Sequence, residues 1–221
     1  MRATIVGDGP PRYSGYTAWR GVVQLDPSLA QRAAPGESWG PGSLFGIARL
    51  AGNQGYWYAT AQAPEGGAGS PAEEKAKLLR FFGRWHDPLP ELIEATLHGS
   101  ILRNDLYDRP PLDRWTVGRI ALLGDAAHPM LPNLGQGACQ AIEDAAALAD
   151  ALAGVGDVEE ALLAYGERRA PRAAWAVRQS RQMCRIAHLS GPAAIGRNLV
   201  IRITPPSAAL KRIAPIVGGD D

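Results

Sequence analysis

Read for apolar and polar positions, the first half of the chain changes period several times. Residues 13–25, YSGYTAWRGVVQL, repeat every second position and are rich in aromatic and β-branched residues, which predicts a strand. Tyr16, Ala18, Arg20 and Val22 fall on one face, and Thr17, Trp19, Gly21 and Val23 on the other. Residues 26–37 read as a Pro- and Ala-containing connection. Ser43–Leu50 and Gly55–Ala61 are an antiparallel pair turned at Gly52-Asn53-Gln54-Gly55, and the second strand carries Tyr56, Trp57 and Tyr58. PEGGAGSP, residues 64–71, reads as a flexible loop. From Ala72 to Trp85 the period becomes helical, with Leu78, Leu79, Phe82 and Trp85 as the apolar stripe. Pro88-Leu89-Pro90 stops that helix, a short helix follows over Glu91–Thr96, and Ile101–Tyr107 is a further strand.

In the second half, Ile120-Ala121-Leu122-Leu123 is an apolar run of strand length ended by Gly124-Asp125. The run predicts a buried strand, with Asp125 at its carboxyl end, where open α/β sheets place ligands. Gly135-Gln136-Gly137 opens a helix to about Leu152, whose apolar face is Ala138, Ala141, Ile142, Ala145, Leu148, Ala149 and Leu152. Its alanines predict close approach to a sheet, and Gly154 and Gly156 end it. Asp157 and Glu160 have the form of a capping box for the next helix, which holds Leu162, Leu163 and Tyr165 and is broken or kinked at Pro171. An arginine-rich helix runs from Arg172 to about Leu189, and Pro192, Pro205, Pro206 and Pro215 divide the tail. The fold class is α+β or α/β. The divisions fall at 1–114, a mixed sheet with helices; 115–156, a strand-loop-helix; and 157–221, helices.

Composition narrows the function. An apolar content of 46% allows a sizeable core. Lys+Arg is 23 against Asp+Glu 22, a net charge of +1, which argues against an electrostatic nucleic-acid binder. Cys139 and Cys184 stand in no metal-ligand spacing and suggest no disulfide framework. That cysteine usage makes a reducing cytosol the simplest compartment, and no apolar run approaches membrane-spanning length.

The chemistry concentrates in residues 118–152. Gly135 and Gly137 let a ligand approach the backbone, and the free N–H groups of a helix start favour an electron-rich oxygen or partial negative charge. A strand-end carboxylate and a helix start suit a ligand with hydroxyls at one point and an electron-accepting ring at another. Gly7-Asp8-Gly9-Pro10 is a surface turn, because no apolar strand precedes it and Pro10-Pro11 blocks a phosphate-binding helix start. His128 reads as structural. Glu143 and Asp144, being adjacent, do not share a helix face, so a structural or interdomain hydrogen bond is expected of them. Arg168, Arg169 and Arg172 read as surface or interdomain charges.

Gly124-Asp125-Ala126-Ala127-His128-Pro129, then Pro132, Gly135-Gln136-Gly137 and Glu143-Asp144-Ala145 closely resemble the second FAD-binding motif of the class A flavin monooxygenases, the aromatic-hydroxylase and salicylate-hydroxylase-like family. The strand with Trp19-Arg20-Gly21, the Tyr56-Trp57-Tyr58 strand and Asp108-Arg109-Pro110 follow that family's order, so the resemblance runs from about Arg2 to about Arg181. It implies a mixed-sheet substrate domain, then the C-terminal part of a Rossmann-like FAD-binding domain and C-terminal helices. The Gly-x-Gly-x-x-Gly half and the Asp-Gly motif of the family are not seen in this sequence, and Arg2 looks like the arginine that follows that Asp-Gly motif.

The implied reaction is reduction of FAD by NAD(P)H, addition of O₂ to give a flavin C4a-hydroperoxide, and transfer of one oxygen atom to an aromatic or other electron-rich small molecule. The implied cofactor-binding residues are Gly124, Asp125, Pro132, Asn133, Leu134, Gly135, Gln136, Gly137 and Ala138, with Arg20, Tyr56 and Tyr58 as substrate-lining candidates. For Arg20 a solvated sheet edge, and for the tyrosines plain β-face packing, are the competing readings. Urate hydroxylases of this family carry an aspartate where Asn133 stands and an arginine where Leu44 stands, so the resemblance disfavours urate. The alternative function is a non-catalytic flavin-fold remnant, or a partner subunit that needs a separate chain bearing the missing half.

Overall fold

The computed structural model describes residues 2–154, 156–205, 207, 208 and 214. In chain order the helices and strands are α1 (Arg2–Ile5), β1 (Arg12–Gln24), α2 (Pro27–Arg32), β2 (Gly36–Gly40), β3 (Ser43–Leu50), β4 (Gln54–Gln62), α3 (Pro71–Phe82), α4 (Leu89–Ala95), β5 (Ile101–Asp108), β6 (Thr116–Val117), β7 (Ile120–Ala121), α5 (Gly137–Ala153), α6 (Val158–Ala187) and α7 (Gly191–Ile203). Pro192 lies in the first turn of α7 and Pro205 follows its end, whereas Pro206 and Pro215 lie outside the described residues.

The chain forms two compact units. A sheet unit holds Tyr13–Leu106 and Ala187–Asn198; a helical unit holds the chain up to Arg12, Tyr107–Ile186 and the chain from Leu199. These boundaries differ from divisions after 114 and 156. The reason is packing: residues 187–198 bond to the sheet, with Gly42 N–H donating to Leu189 C=O at 3.0 Å and Arg197 Nη2 donating to Gly40 C=O at 3.1 Å.

In the sheet unit the strand order is β2-β3-β4-β1-β5, and β2–β3, β3–β4 and β4–β1 pair antiparallel. The period of two in β1 sends Thr17, Trp19, Gly21 and Val23 inward, as alternation dictates. Trp19, Phe45 and Trp57 form the core with Leu78 and Phe82 of α3 and Leu92 and Ile93 of α4. Each buried side chain of this size stabilises by roughly 1.5–3 kcal/mol. Both indole N–H groups are satisfied: Trp19 Nε1 donates to Glu74 at 2.8 Å, and Trp57 Nε1 to Thr96 Oγ1 at 2.8 Å. α3 begins at a capping box between Ser70 and Glu73 and ends at Phe82, so Trp85 packs on the core from beyond the helix. The 64–71 loop is tethered rather than loose. Gly66 N–H donates to Asp105 at 2.7 Å, Gly69 N–H to Glu74 at 2.7 Å, and Lys77 Nζ to Gly67 C=O at 2.8 Å. Residues 26–37 also hold more structure than a connection: Asp26 caps α2, and β2 begins at Gly36.

The helical unit departs further from the sequence reading. The strand after Arg119 is only Ile120–Ala121, hairpinned to Thr116–Val117. Leu122 is buried, but Ile120 and Leu123 are 45% and 41% exposed, because no other described strand pairs with β7. α5 buries Gln140, Asp144 and Ala147, while Ile142 is 71% exposed and Ala138, Ala145, Ala149 and Leu152 also face outward. The alanine-rich face therefore meets no described sheet. α6 continues through Pro171 as one helix of 30 residues. A proline removes one N–H donor, and the carbonyl it strands belongs to Glu167, whose side chain is exposed, so water can take the bond. Asp157 caps α6 by accepting Glu159 N–H at 2.8 Å rather than through Glu160. Trp115, Leu122, Ala127, Ala147, Tyr165 and Ala173 form the core, and Tyr165 OH donates to Leu122 C=O at 3.0 Å.

Candidate functional site

The candidate site is the loop between β7 and α5. Gly124–Ala126 is a single 3-10 turn entered through Gly124 at φ 55°, and a second turn, Pro132–Leu134, ends at Gly135 with φ 65°. The left-handed conformation at Gly135 is one that side-chain-bearing residues rarely adopt, and a Cβ there would meet nothing within 4 Å. The chain then enters α5 at Gly137. Gln136 supplies no side-chain cap, and the first main-chain bond across the junction is Gln140 N–H to Gln136 C=O at 2.9 Å. The opening amides of α5 are thus left for another acceptor.

Asp125, Met130, Leu131, Pro132, Gly135, Gly137, Ala138 and Ala141 line one cleft of ≈ 470 Å³. That volume lies within the range of small-ligand sites, about 300–1,000 Å³. Of the residues singled out in the sequence, Asp125, Pro132, Gly135, Gly137 and Ala138 meet in this cleft. Gly124 and Gln136 are buried behind it, and Asn133 and Leu134 are half-buried in the same loop. Asn133 Oδ1 is buried without a hydrogen-bond partner among the described residues.

Behind the loop lies a charged frame. Asp144, on α5, is fully buried. Its Oδ2 accepts Gly124 N–H at 2.9 Å and lies 2.7 Å from His128 Nε2; its Oδ1 accepts Arg169 Nε at 2.9 Å. Burial opposes charge on Asp144, but hydrogen bonds from His128, Gly124 and Arg169 outweigh it and hold the carboxyl below the ordinary range. Arg169, expected at the surface, is 2% exposed, with Nη2 on Gln140 Oε1 at 2.8 Å and Nη1 2.8 Å from Glu143 Oε2. It is buried because it lies on the inward stripe of α6 between Tyr165 and Ala173, where a guanidinium requires carboxylate partners. From the other side, Arg2 Nη1 donates to the carbonyls of Ala126 and Ala127 at 2.7 and 3.0 Å. The hydrogen-bonding role expected of Asp144 is met at Gly124, His128 and Arg169, whereas the sequence connected neither Arg2 nor Arg169 with this loop. The signal available was helical spacing, which puts Gln140, Asp144 and Ala147 on one stripe.

Residues 108–180 match a family profile described as an FAD binding domain. The chain is 48% identical over 173 residues to the aurachin C monooxygenase/isomerase of Stigmatella aurantiaca, covering 78% of this chain and 45% of that protein. By these matches the chain is a relative of the class A flavin monooxygenases. It is also 34% identical over 193 residues to the FAD-dependent urate hydroxylase of Klebsiella pneumoniae, covering 85% of this chain and 49% of that protein. Among solved structures, Klebsiella pneumoniae HpxO complexed with FAD and uric acid matches with a TM-score of 0.85 and 30% identity, over 96% of this chain and 55% of that one. A salicylate hydroxylase substrate complex, at 22% identity and a TM-score of 0.74, covering 99% of this chain and 57% of that one, shares the fold. The chain spans about half the length of these two curated monooxygenase relatives.

The cleft residues of this chain fit a flavin. The Asp125 carboxylate can only accept, which suits hydroxyl donors. The open Cα positions at Gly135 and Gly137 leave room for a ring against the backbone, and the uncapped amides suit a partial negative charge. In the sheet unit, the register places Arg20 opposite Tyr58 and Val22 opposite Tyr56, so Arg20, Tyr56 and Tyr58 share one sheet face. The tyrosine rings stand 5.9 Å apart. Tyr58 lies over Gly46, where a Cβ would come within 2.1 Å of its ring, and its hydroxyl donates to Glu37. Burial first, and then the Glu37 carboxylate, raise the Tyr58 pKa, so the phenol stays protonated and a donor. Leu44 is buried in the same sheet. No described helix is long and apolar enough to cross a membrane.

Proposed function

We propose that this chain supplies the flavin-ring half-site and the substrate-facing sheet of an FAD-dependent monooxygenase. The enzyme inserts one oxygen atom from O₂ into an aromatic or other electron-rich small molecule, with NAD(P)H as reductant. The observation that carries the reading is the meeting of Asp125, Pro132, Gly135, Gly137 and Ala138 in one cleft. The bound flavin supplies the oxygen-activating chemistry. The chain's own residues do the rest. Asp125 accepts from cofactor hydroxyls, the α5 amides stabilise negative charge on the ring, and Pro132 presents a surface without an N–H donor. Arg20, Tyr56 and Tyr58 orient the substrate, and Asn133, which cannot serve as a carboxylate base, together with Leu44 argues for a substrate other than urate.

The partner in this reading is a Gly-x-Gly-x-x-Gly-bearing half that holds the rest of the dinucleotide. The outward apolar face of α5, with Ile142 71% exposed, and the short exposed β7 support it, since both have the character of surface that a sheet would cover. The exposed thiol of Cys139 supports a cytoplasmic setting. The test is FAD titration of the chain, alone and mixed with a Gly-x-Gly-x-x-Gly half, followed by flavin absorbance and fluorescence. A shifted flavin spectrum that weakens with Asp125→Ala is the expected result. No binding under either condition favours the non-catalytic remnant instead.

A further inference from the structure

The segment Gly124–His128 is held at four of its five residues. Asp144 takes the Gly124 N–H at 2.9 Å and meets the His128 ring at 2.7 Å, while Arg2 takes the carbonyls of Ala126 and Ala127 at 2.7 and 3.0 Å. The Asp125 side chain makes no hydrogen bond among the described residues, and this exposed residue lines the cleft. A turn tied down on both sides of one free carboxylate has the construction of a preorganised ligand-binding group. The tie is charged and dry: Asp144 is 0% and Arg169 2% exposed, and the guanidinium is shared with Gln140 and Glu143. A carboxylate buried only to stabilise a helix pair would not need to reach the main chain of a cleft-lining turn.

We propose that Asp144, charge-balanced by Arg169, is a positioning residue that acts through the Gly124 backbone and the His128 ring to aim Asp125 at the bound ligand. This inference rests on the flavin reading of the cleft. Asparagine at 144 has one acceptor oxygen where aspartate has two, so it cannot serve Arg169 on one side and Gly124 with His128 on the other. The turn is then released without removing Asp125.

The test is a double-mutant cycle on FAD affinity, run on the full chain together with the complementing half if binding requires it, and paired with hydrogen exchange of the Gly124 amide in the ligand-free chain. Asp144→Asn should weaken FAD binding about tenfold when Asp125 is present, but less than about twofold in an Asp125→Ala background, because the two act on one contact. The Gly124 amide should exchange faster in Asp144→Asn. A merely structural Asp144 would weaken binding by the same factor in both backgrounds, and that result overturns the inference. Unchanged Gly124 exchange also overturns it. If Asp125→Ala alone leaves FAD affinity intact, or the wild-type chain binds no FAD, the flavin reading of the cleft fails and the positioning role falls with it, an outcome distinct from equal factors. Should Asp144→Asn fail to fold, Arg169→Lys keeps the charge while loosening the fork, and the same non-additivity and faster exchange are expected of it.

Discussion

Replacing Glu74 should reveal how much one buried carboxylate contributes to the sheet unit. Its Oε2 accepts Trp19 Nε1 at 2.8 Å; its Oε1 accepts Gly69 N–H at 2.7 Å and Lys77 Nζ at 2.6 Å. Glu74→Ala leaves the buried Trp19 N–H stranded, at about 1–3 kcal/mol. Trp19 is 1% exposed and sits at the upper end of that range, while Gly69 is exposed and water can reach it. The expected loss is about 3 kcal/mol, a large part of the roughly 5–15 kcal/mol that holds a domain folded. Glu74→Gln keeps one acceptor and should lose about half as much. The pH dependence follows from the direction of the shift. Burial pushes the Glu74 carboxyl up, but hydrogen bonds from Lys77, Trp19 and Gly69 outweigh it and bring it below 4.5. A carboxyl depressed in the folded state stabilises above its unfolded value, and that contribution fades as pH falls through the folded value. The gap between wild type and Glu74→Gln, read as the urea midpoint at constant slope, should therefore be full at pH 7 and narrow below about pH 4.5. A loss under about 1 kcal/mol for Glu74→Ala, or a gap that ignores pH, refutes the account of this carboxylate.

Three further outcomes follow from the same coordinates. Burial pushes the Cys184 thiol up to about 12, whereas Cys139 is exposed in the first turn of α5. A thiol reagent at pH 8 should label Cys139 alone, bound FAD should slow that labelling, and two equally fast thiols would contradict the burial described. Gly46→Ala places a Cβ 2.1 Å from the Tyr58 ring and should destabilise by about 1–3 kcal/mol, a loss that Tyr58→Ala in the same chain relieves. Arg169→Met should destabilise by about 3–5 kcal/mol in urea unfolding because it leaves Asp144 unbalanced. Arg168→Met should stay within about 0.5 kcal/mol, since the Arg168–Asp150 pair is 3.6 Å apart and mostly exposed.

What could be read from the sequence depended on whether burial followed hydrophobicity. In β1, β3, β4 and α3 it did, so alternation and helical spacing located the strands and the helix, while the meeting of Trp19, Trp57 and Phe82 in one core came from the structure. β2, GESWG, escaped because a short polar edge strand has no apolar face to announce it. α5 inverted the rule. Its buried stripe is Gln140, Asp144 and Ala147, and its apolar residues face out, so an amphipathicity argument picked the wrong face. The cause lies 25 residues further on, at Arg169, whose guanidinium makes burial of Asp144 affordable. No local window contains both partners. The cleft was more legible because Asp125, Pro132, Gly135, Gly137 and Ala138 follow one another along one loop. The frame behind it was not, because Arg2 reaches that loop across 124 residues.

Neither compact unit is a contiguous stretch of chain. As the polypeptide emerges during synthesis, Arg2 waits for Ala126, and Asp144 waits for Arg169, so the loop frame closes only after Arg169 has been made. Contacts of such long sequence separation slow folding and lengthen the time during which apolar surface is open to misassociation. It also follows that no single cut isolates the helical unit: excising Tyr107–Ile186 would leave behind the arginine that ties down the Ala126 and Ala127 carbonyls.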